Sequence, residues 1–317
     1  MSDLVRLQQR FSAWSPRIPQ SPWYLFKGME SVKSPCRQFL LQGLARRHCS
    51  TASEAVGRLS SYTGGSVNLE LDSSSGIATI TLDNPEKHNA MSGTMMVDLA
   101  NIVHELEQWK DGKGVVLRGN NDAFCSGADL QLVKGIMNKD GGRDMCTLMQ
   151  DTLSRLYTLP LVSVALVDGV ALGGGAEMTT SCDYRLVTKD ATIGFVQVKM
   201  GVMTGWGGGT RLVQLTGRTA ALDLLTTGKV LSWREALSIG LANGMVQATD
   251  SSALDQAMEW LDHRTFGETA VVRAAKKIVV AASRDIYASL AVEKDAFCDV
   301  WSGPAHVNAM QKKPKHK

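Results

Sequence analysis

The sequence predicts an α/β fold with parallel pairing, and three observations predict it. Short β-branched runs (Val115–Arg118, Val162–Val167, Tyr184–Val187) alternate with segments of helical apolar spacing through the first two thirds of the chain. Two of those runs lead directly into small-residue turns that open a helix. After Gly205 the pattern is helical almost to the end, which reads as a cap or an oligomerisation layer.

Residues 1–60 are rich in Ser and Arg and hold nine Lys/Arg against three acids, without sustained periodicity. They read as an N-terminal extension, disordered or a targeting segment, ahead of a core over 61–250 and a helical region with a basic tail over 251–317. Leu41–Ala52, LQGLARRHCSTA, has the composition that ends a mitochondrial transit peptide; an extension retained in the cytosol is the alternative. Val67–Leu71 and Ile77–Leu82 flank a turn signal at Ser73–Gly76 and predict a hairpin. Met91–Trp109 places Met96, Leu99, Ile102, Val103 and Leu106 on one helical face, with Ser92 as N-cap. Further helices are expected over Asp129–Ile136, Met145–Tyr157 and Gly174–Ser181, then roughly over 208–216, 218–226, 232–239, 251–264, 269–283 and 286–299.

Composition excludes several classes. Of 317 residues 44% are hydrophobic and 21% charged, and no apolar run is long enough to span a bilayer. The net charge of +3 gives no global argument for nucleic acid, and from residue 61 onward the balance is −3. The six cysteines are scattered with no C-x-x-C and read as reduced thiols. No His or Cys cluster has metal-ligand spacing, so no metal is expected.

Two segments repeat one design. In VVLRGNNDAFCSGADL, ending at Leu130, a strand leads to the turn Ser126-Gly127-Ala128, and Asp129 can cap the next helix. In VSVALVDGVALGGGAE, from Val162 to Glu177, a buried strand again ends in glycines at a helix start. Glycine allows positive φ and close backbone approach, and the unpaired N–H groups of a helix's first turn attract developing negative charge. Two such turns meeting across a cleft would form an oxyanion hole with two donors. Glycines that merely let a helix approach a sheet are the plainer reading of either segment alone.

The ordered combination decides between them. NPEKHNAMS (84–92), FCSGADL (124–130), DGVALGGGAE (168–177), CDYRL (182–186) and MGVMTGWGGGTRL (200–212) together resemble the crotonase (enoyl-CoA hydratase/isomerase) superfamily from about Ser66 to Trp301. The resemblance implies a ββα spiral core with a helical C-terminal region, assembled as a homotrimer or homohexamer. It implies that the N–H groups of Ala128 and Gly174 hold a thioester oxygen. Lys87, His88, Ala90 and Ser126 would then lie along coenzyme A, which is part of the substrate, so no separate cofactor is expected. Lys276 and Lys277, in the helix VVRAAKKIVVAA, could reach the coenzyme A phosphates; a solvated helix face is the alternative.

Hydratases of this superfamily add water with two glutamates. The first falls on Glu177, three residues after Gly174 and on the same helical face, pointing at the reacting carbons. Burial would raise its pKa and suit it to proton transfer. The second should lie four residues before Gly201, where this chain has Gln197. An amide orients water but does not take its proton. Trp206 stands where hydratases carry a small residue, and it should narrow the acyl pocket.

Decarboxylation of a malonyl-type thioester needs the oxyanion hole but no water-activating base. The tryptophan-bearing glycine loop, ALGGGAE and the closing W-x-G-P-A (Trp301–Ala305) are most similar to the branch of the superfamily that decarboxylates ethylmalonyl-CoA to butyryl-CoA. That branch takes methylmalonyl-CoA less well and serves metabolite repair in the cytosol, which outweighs the transit-like segment; the mitochondrial matrix is the alternative. An enoyl-CoA isomerase or hydratase using Glu177 alone is the rival activity. Membrane and nucleic-acid partners are not expected.

Overall fold

The computed structural model describes residues 55–247 and 252–282, all within the unit Cys49–Lys317. The extension up to residue 54, the helix expected over 286–299 and the basic tail lie outside the described residues. A helical turn over 55–59 buries Ala55 and places Leu59 in the main core.

Among the described residues ten strands form two sheets. The first has the order β1 (Ser66–Asp72), β2 (Ile77–Asp83), β3 (Gly114–Gly119), β5 (Val162–Val167), β7 (Tyr184–Val187), β10 (Gly244–Met245). The second runs β4 (Ala123–Cys125), β6 (Val170–Leu172), β8 (Thr192–Gly194), β9 (Val230–Ser232). β1 and β2 form the expected antiparallel hairpin, and the first sheet is parallel from β2 onward. The pairs β3–β4, β5–β6 and β7–β8 are successive passes of the chain. Each pass lays one strand in the first sheet and the next in the second, which is the ββα spiral expected of the family.

The helices are α1 (Gly93–Gln108), α2 (Leu130–Gly135), α3 (Lys139–Thr158), α4 (Gly174–Thr179), α5 (Gly208–Thr216), α6 (Arg218–Thr227), α7 (Trp233–Ser238), α8 (Ala253–Asp262) and α9 (Thr269–Ala281). α1 starts where expected, because the Ser92 hydroxyl accepts the Met95 N–H at 3.2 Å. α3 begins six residues before the predicted Met145, since Asn138 caps it at the Gly141 N–H despite the pair Gly141-Gly142. The strands β9 and β10 interrupt the last third, where only helix was expected.

Both faces of the first sheet are buried. Val115, Leu117, Ala165 and Val167 join the main core, while Val116, Val164 and Leu166 face a second cluster with Ala257 and Leu261 of α8. This two-sided burial explains why the central strands read as continuous apolar runs. It also makes the sheet a rigid base for the loops at its strand ends.

Candidate active site

The first glycine turn is built jointly with the loop 84–91. The Asn89 side chain is fully buried and holds that loop: it accepts the Asn84 N–H and donates to the carbonyls of Asn120 and Ala123 at 2.7–2.9 Å. His88 and Asn89 both take positive φ, 49° and 56°, so the loop doubles back on itself. The Ser126 N–H donates to the His88 carbonyl at 2.9 Å and the Ser126 hydroxyl to the Lys87 carbonyl at 3.0 Å. The Met91 N–H donates to Gly127, and Asp129 donates back to Met91. This is a parallel bridge centred on Ala128, and it turns the Ala128 N–H away from residue 91.

Gly174 supplies the facing group. As the first residue of α4, its N–H has no carbonyl within the helix to bond. The two turns touch: a Cβ on Gly127 would lie 3.2 Å from the Gly174 nitrogen, and Gly127 itself has φ +108°. Ala128 and Gly174 are each half-buried between buried neighbours. The pairing of turns that the sequence suggested is therefore present.

Glu177 lies one helical turn on and is 2% exposed. Its carboxylate, expected from the sequence to point at the reacting carbons, is held by four N–H donors. One oxygen accepts from Gln197 Nε2 at 2.9 Å and the Gly205 N–H at 3.2 Å; the other accepts from the N–H groups of Trp206 at 2.8 Å and Gly208 at 2.9 Å. The glycines of the 205–208 loop make this possible, since a Cβ on Gly208 would sit 2.4 Å from Glu177 Cγ. Burial pushes the Glu177 pKa up; the donors from Gly208, Trp206, Gly205 and Gln197 oppose that, and burial prevails.

Gln197 is thereby oriented. Its NH₂ faces the carboxylate, and its Oε1 is buried with no hydrogen-bond partner among the described residues. Trp206 is 3% exposed, and its ring covers Gly174: a Cβ there would meet the indole at 2.4 Å.

Lys87, on the exposed side of the 84–91 loop, is ion-paired with the buried Asp129 at 2.6 Å. Burial alone would raise Asp129, but Lys87 and the Gln131 N–H hold it below its ordinary value of 3.8. Ala90 is buried beneath the loop, whereas His88 is exposed on it. Lys276 does not reach outward: it is buried in an ion pair with Asp183, which also accepts the Ser163 N–H and hydroxyl. Lys277 is exposed. No cluster of ligating side chains suited to a metal occurs among the described residues.

The chain belongs to the enoyl-CoA hydratase/isomerase family, whose sequence pattern matches residues 72–311. Among curated relatives, the ethylmalonyl-CoA decarboxylase of Gallus gallus is 46% identical over 260 residues, covering 81% of this chain and 87% of the relative. That of Danio rerio is 43% identical over 291 residues, covering 90% and 96%. Among solved structures, the enoyl-CoA hydratase of Bacillus anthracis superposes with a TM-score of 0.72 at 27% identity, covering 78% of this chain and 95% of that one.

Sequence reasoning passed over Asn89, Gln150 and Arg211. Both Asn89 and Arg211 stand inside the quoted motifs; Arg211 was signalled as a charge in an otherwise small or apolar stretch, whereas Asn89 is one polar residue among several. Gln150, which donates to the Gly205 carbonyl at 2.8 Å, sits on a helix face with no such signal.

Proposed function

We propose that this protein is a carboxy-lyase that converts ethylmalonyl-CoA to butyryl-CoA, with methylmalonyl-CoA as a weaker substrate. The observation that carries the proposal is the pairing of two backbone donors at Ala128 and Gly174 with an amide, Gln197, opposite the single carboxylate of Glu177. The names of the curated relatives support the same reading.

In this scheme the bond from the α-carbon to the carboxylate breaks and its electron pair passes onto the thioester oxygen. CO₂ leaves, and the resulting enolate is held by the two N–H groups, each worth about 3 kcal/mol in the transition state. The buried Trp206 indole walls the acyl pocket and keeps water from the enolate. A proton must then return to the α-carbon, and we assign it to Glu177. To carry a proton, Glu177 must release one of its four N–H partners, and Gln197 is the only side chain among them. Rotation of that amide would offer its unpartnered Oε1 to the new carboxyl hydrogen.

Lys87, His88, Ala90 and Ser126 are proposed to follow coenzyme A along the 84–91 loop. The active form is proposed to be a cytosolic homotrimer or homohexamer serving metabolite repair. The test is to incubate the protein separately with ethylmalonyl-CoA, methylmalonyl-CoA and crotonyl-CoA and follow the thioesters by mass. Loss of CO₂, fastest from ethylmalonyl-CoA, is expected. Hydration of crotonyl-CoA without loss of CO₂ would overturn the assignment in favour of a hydratase using Glu177 alone.

A further inference from the structure

Arg211, on α5, is buried to 9% exposure, and no carboxylate pairs with it directly among the described residues. Its guanidinium donates to the Trp206 carbonyl at 2.8 Å and to the Thr180 hydroxyl at 3.1 Å; burial lowers its pKa, and the nearby charge of Glu177 opposes that. On the other side of the same residue, the Trp206 N–H donates to Glu177 at 2.8 Å. One residue is thus gripped at both ends of its backbone by buried groups of opposite charge. Its side chain lies against the α-carbon of Gly174, a proposed oxyanion donor.

We propose that Arg211 is a positioning residue for the oxyanion hole, acting through Trp206 on Gly174. The inference rests on the proposed function for the roles of Gly174 and Glu177 and for the reaction used to measure it. A buried guanidinium is an unfavourable way to hold a loop, because a charge out of water is destabilising unless it is well bonded. It has a purpose where the opposite grip changes during turnover. When Glu177 takes up a proton, its hold on the loop N–H groups weakens. Arg211 does not titrate in the working range, so its bond to the Trp206 carbonyl persists. The indole then stays over Gly174 while the proton moves. Thr180 fixes the second guanidinium direction, and its own hydroxyl donates to the Glu177 carbonyl at 2.6 Å, so α4 and α5 share one network.

The test compares the full chain with Arg211→Lys and Arg211→Ala. Lysine keeps a charge but not the planar fork that reaches both oxygens. A misplacement of about 1 Å costs about 100-fold in rate, so Arg211→Ala is expected to lose about that factor in kcat with KM little changed. Arg211→Lys is expected to show a smaller loss in kcat, again with KM unchanged, and methylguanidinium should restore part of the Arg211→Ala rate. The emission of Trp206, taken as the difference between each protein and its Trp206→Phe counterpart, should shift to the red in both variants. Should Arg211→Ala fail to fold, Arg211→Lys decides alone. Wild-type kcat and unshifted Trp206 emission in Arg211→Lys, with only a lower Tm, would overturn the proposal and leave Arg211 a stability element. The fluorescence arm needs no turnover, so it stands even if the substrate assignment fails.

Discussion

Glu177 holds four N–H groups with two oxygens, an arrangement a neutral side chain cannot reproduce. Glu177→Gln turns an NH₂ toward N–H donors and leaves at least one of them unpaired. The expected loss is about 1–3 kcal/mol, read as a lower urea midpoint at unchanged slope, together with collapse of CO₂ release. Because the proposed proton donor must be protonated and burial raises its pKa, wild-type kcat should fall as pH rises through that raised value. A rate that is flat across that limb would remove Glu177 from the proton's path. Asp129 behaves in the opposite sense. Its folded pKa lies below 3.8, so its pairing with Lys87 stabilises the fold above that value and the contribution is lost as pH falls through the lowered one. Lys87→Met should therefore unfold more readily than wild type at neutral pH, and the difference should vanish well below 3.8.

At the scale of elements, the two turns and the 205–208 loop depend on the absence of side chains where backbones meet. Gly174→Ala would drive its Cβ into the Trp206 ring, at 2.4 Å, displacing the indole or the start of α4. The overpacking should cost about 1–3 kcal/mol, and kcat should drop far more than stability suggests. α9 is pinned to the core differently, by Lys276 against Asp183 and by Arg273 donating to the carbonyls of Trp109 and Gly112. Lys276→Met leaves the carboxylate of Asp183 without its cation, and a loss of up to about 3 kcal/mol is expected in chemical denaturation.

These elements also show what a sequence reveals. α1 and the strands β2, β3 and β5 were legible because apolar spacing is sustained over whole elements and burial is two-sided. The short strands β4, β6, β8, β9 and β10, of two or three residues each, are too brief to show a period, so the second sheet was not legible. Gly127 and Gly174 were found because positive φ and close approach demand glycine. The four N–H partners of the Glu177 carboxylate were not legible, since they stand twenty to thirty-one residues away, on Gln197 and on the 205–208 loop.

At the scale of the molecule, the spiral brings strand ends from separate passes into one place. The Ala128 turn follows β4, the Gly174 turn follows β6, and the loop after the second sheet's β8 carries Gln197. Neighbouring strands of a single sheet thus deliver the two turns proposed as an oxyanion hole, an amide and a carboxylate side by side, while α5 adds Arg211 through its bond to the Trp206 carbonyl. The central claim is that this assembly makes a thioester enolate by loss of CO₂. It is tested most directly by turning over ethylmalonyl-CoA with the full chain in D₂O and reading the product by mass and by NMR at the α-carbon. Butyryl-CoA carrying one deuteron at that carbon is expected for each CO₂ released. Ethylmalonyl-CoA recovered with its carboxyl group intact, or butyryl-CoA with no deuterium at the α-carbon, would contradict the claim.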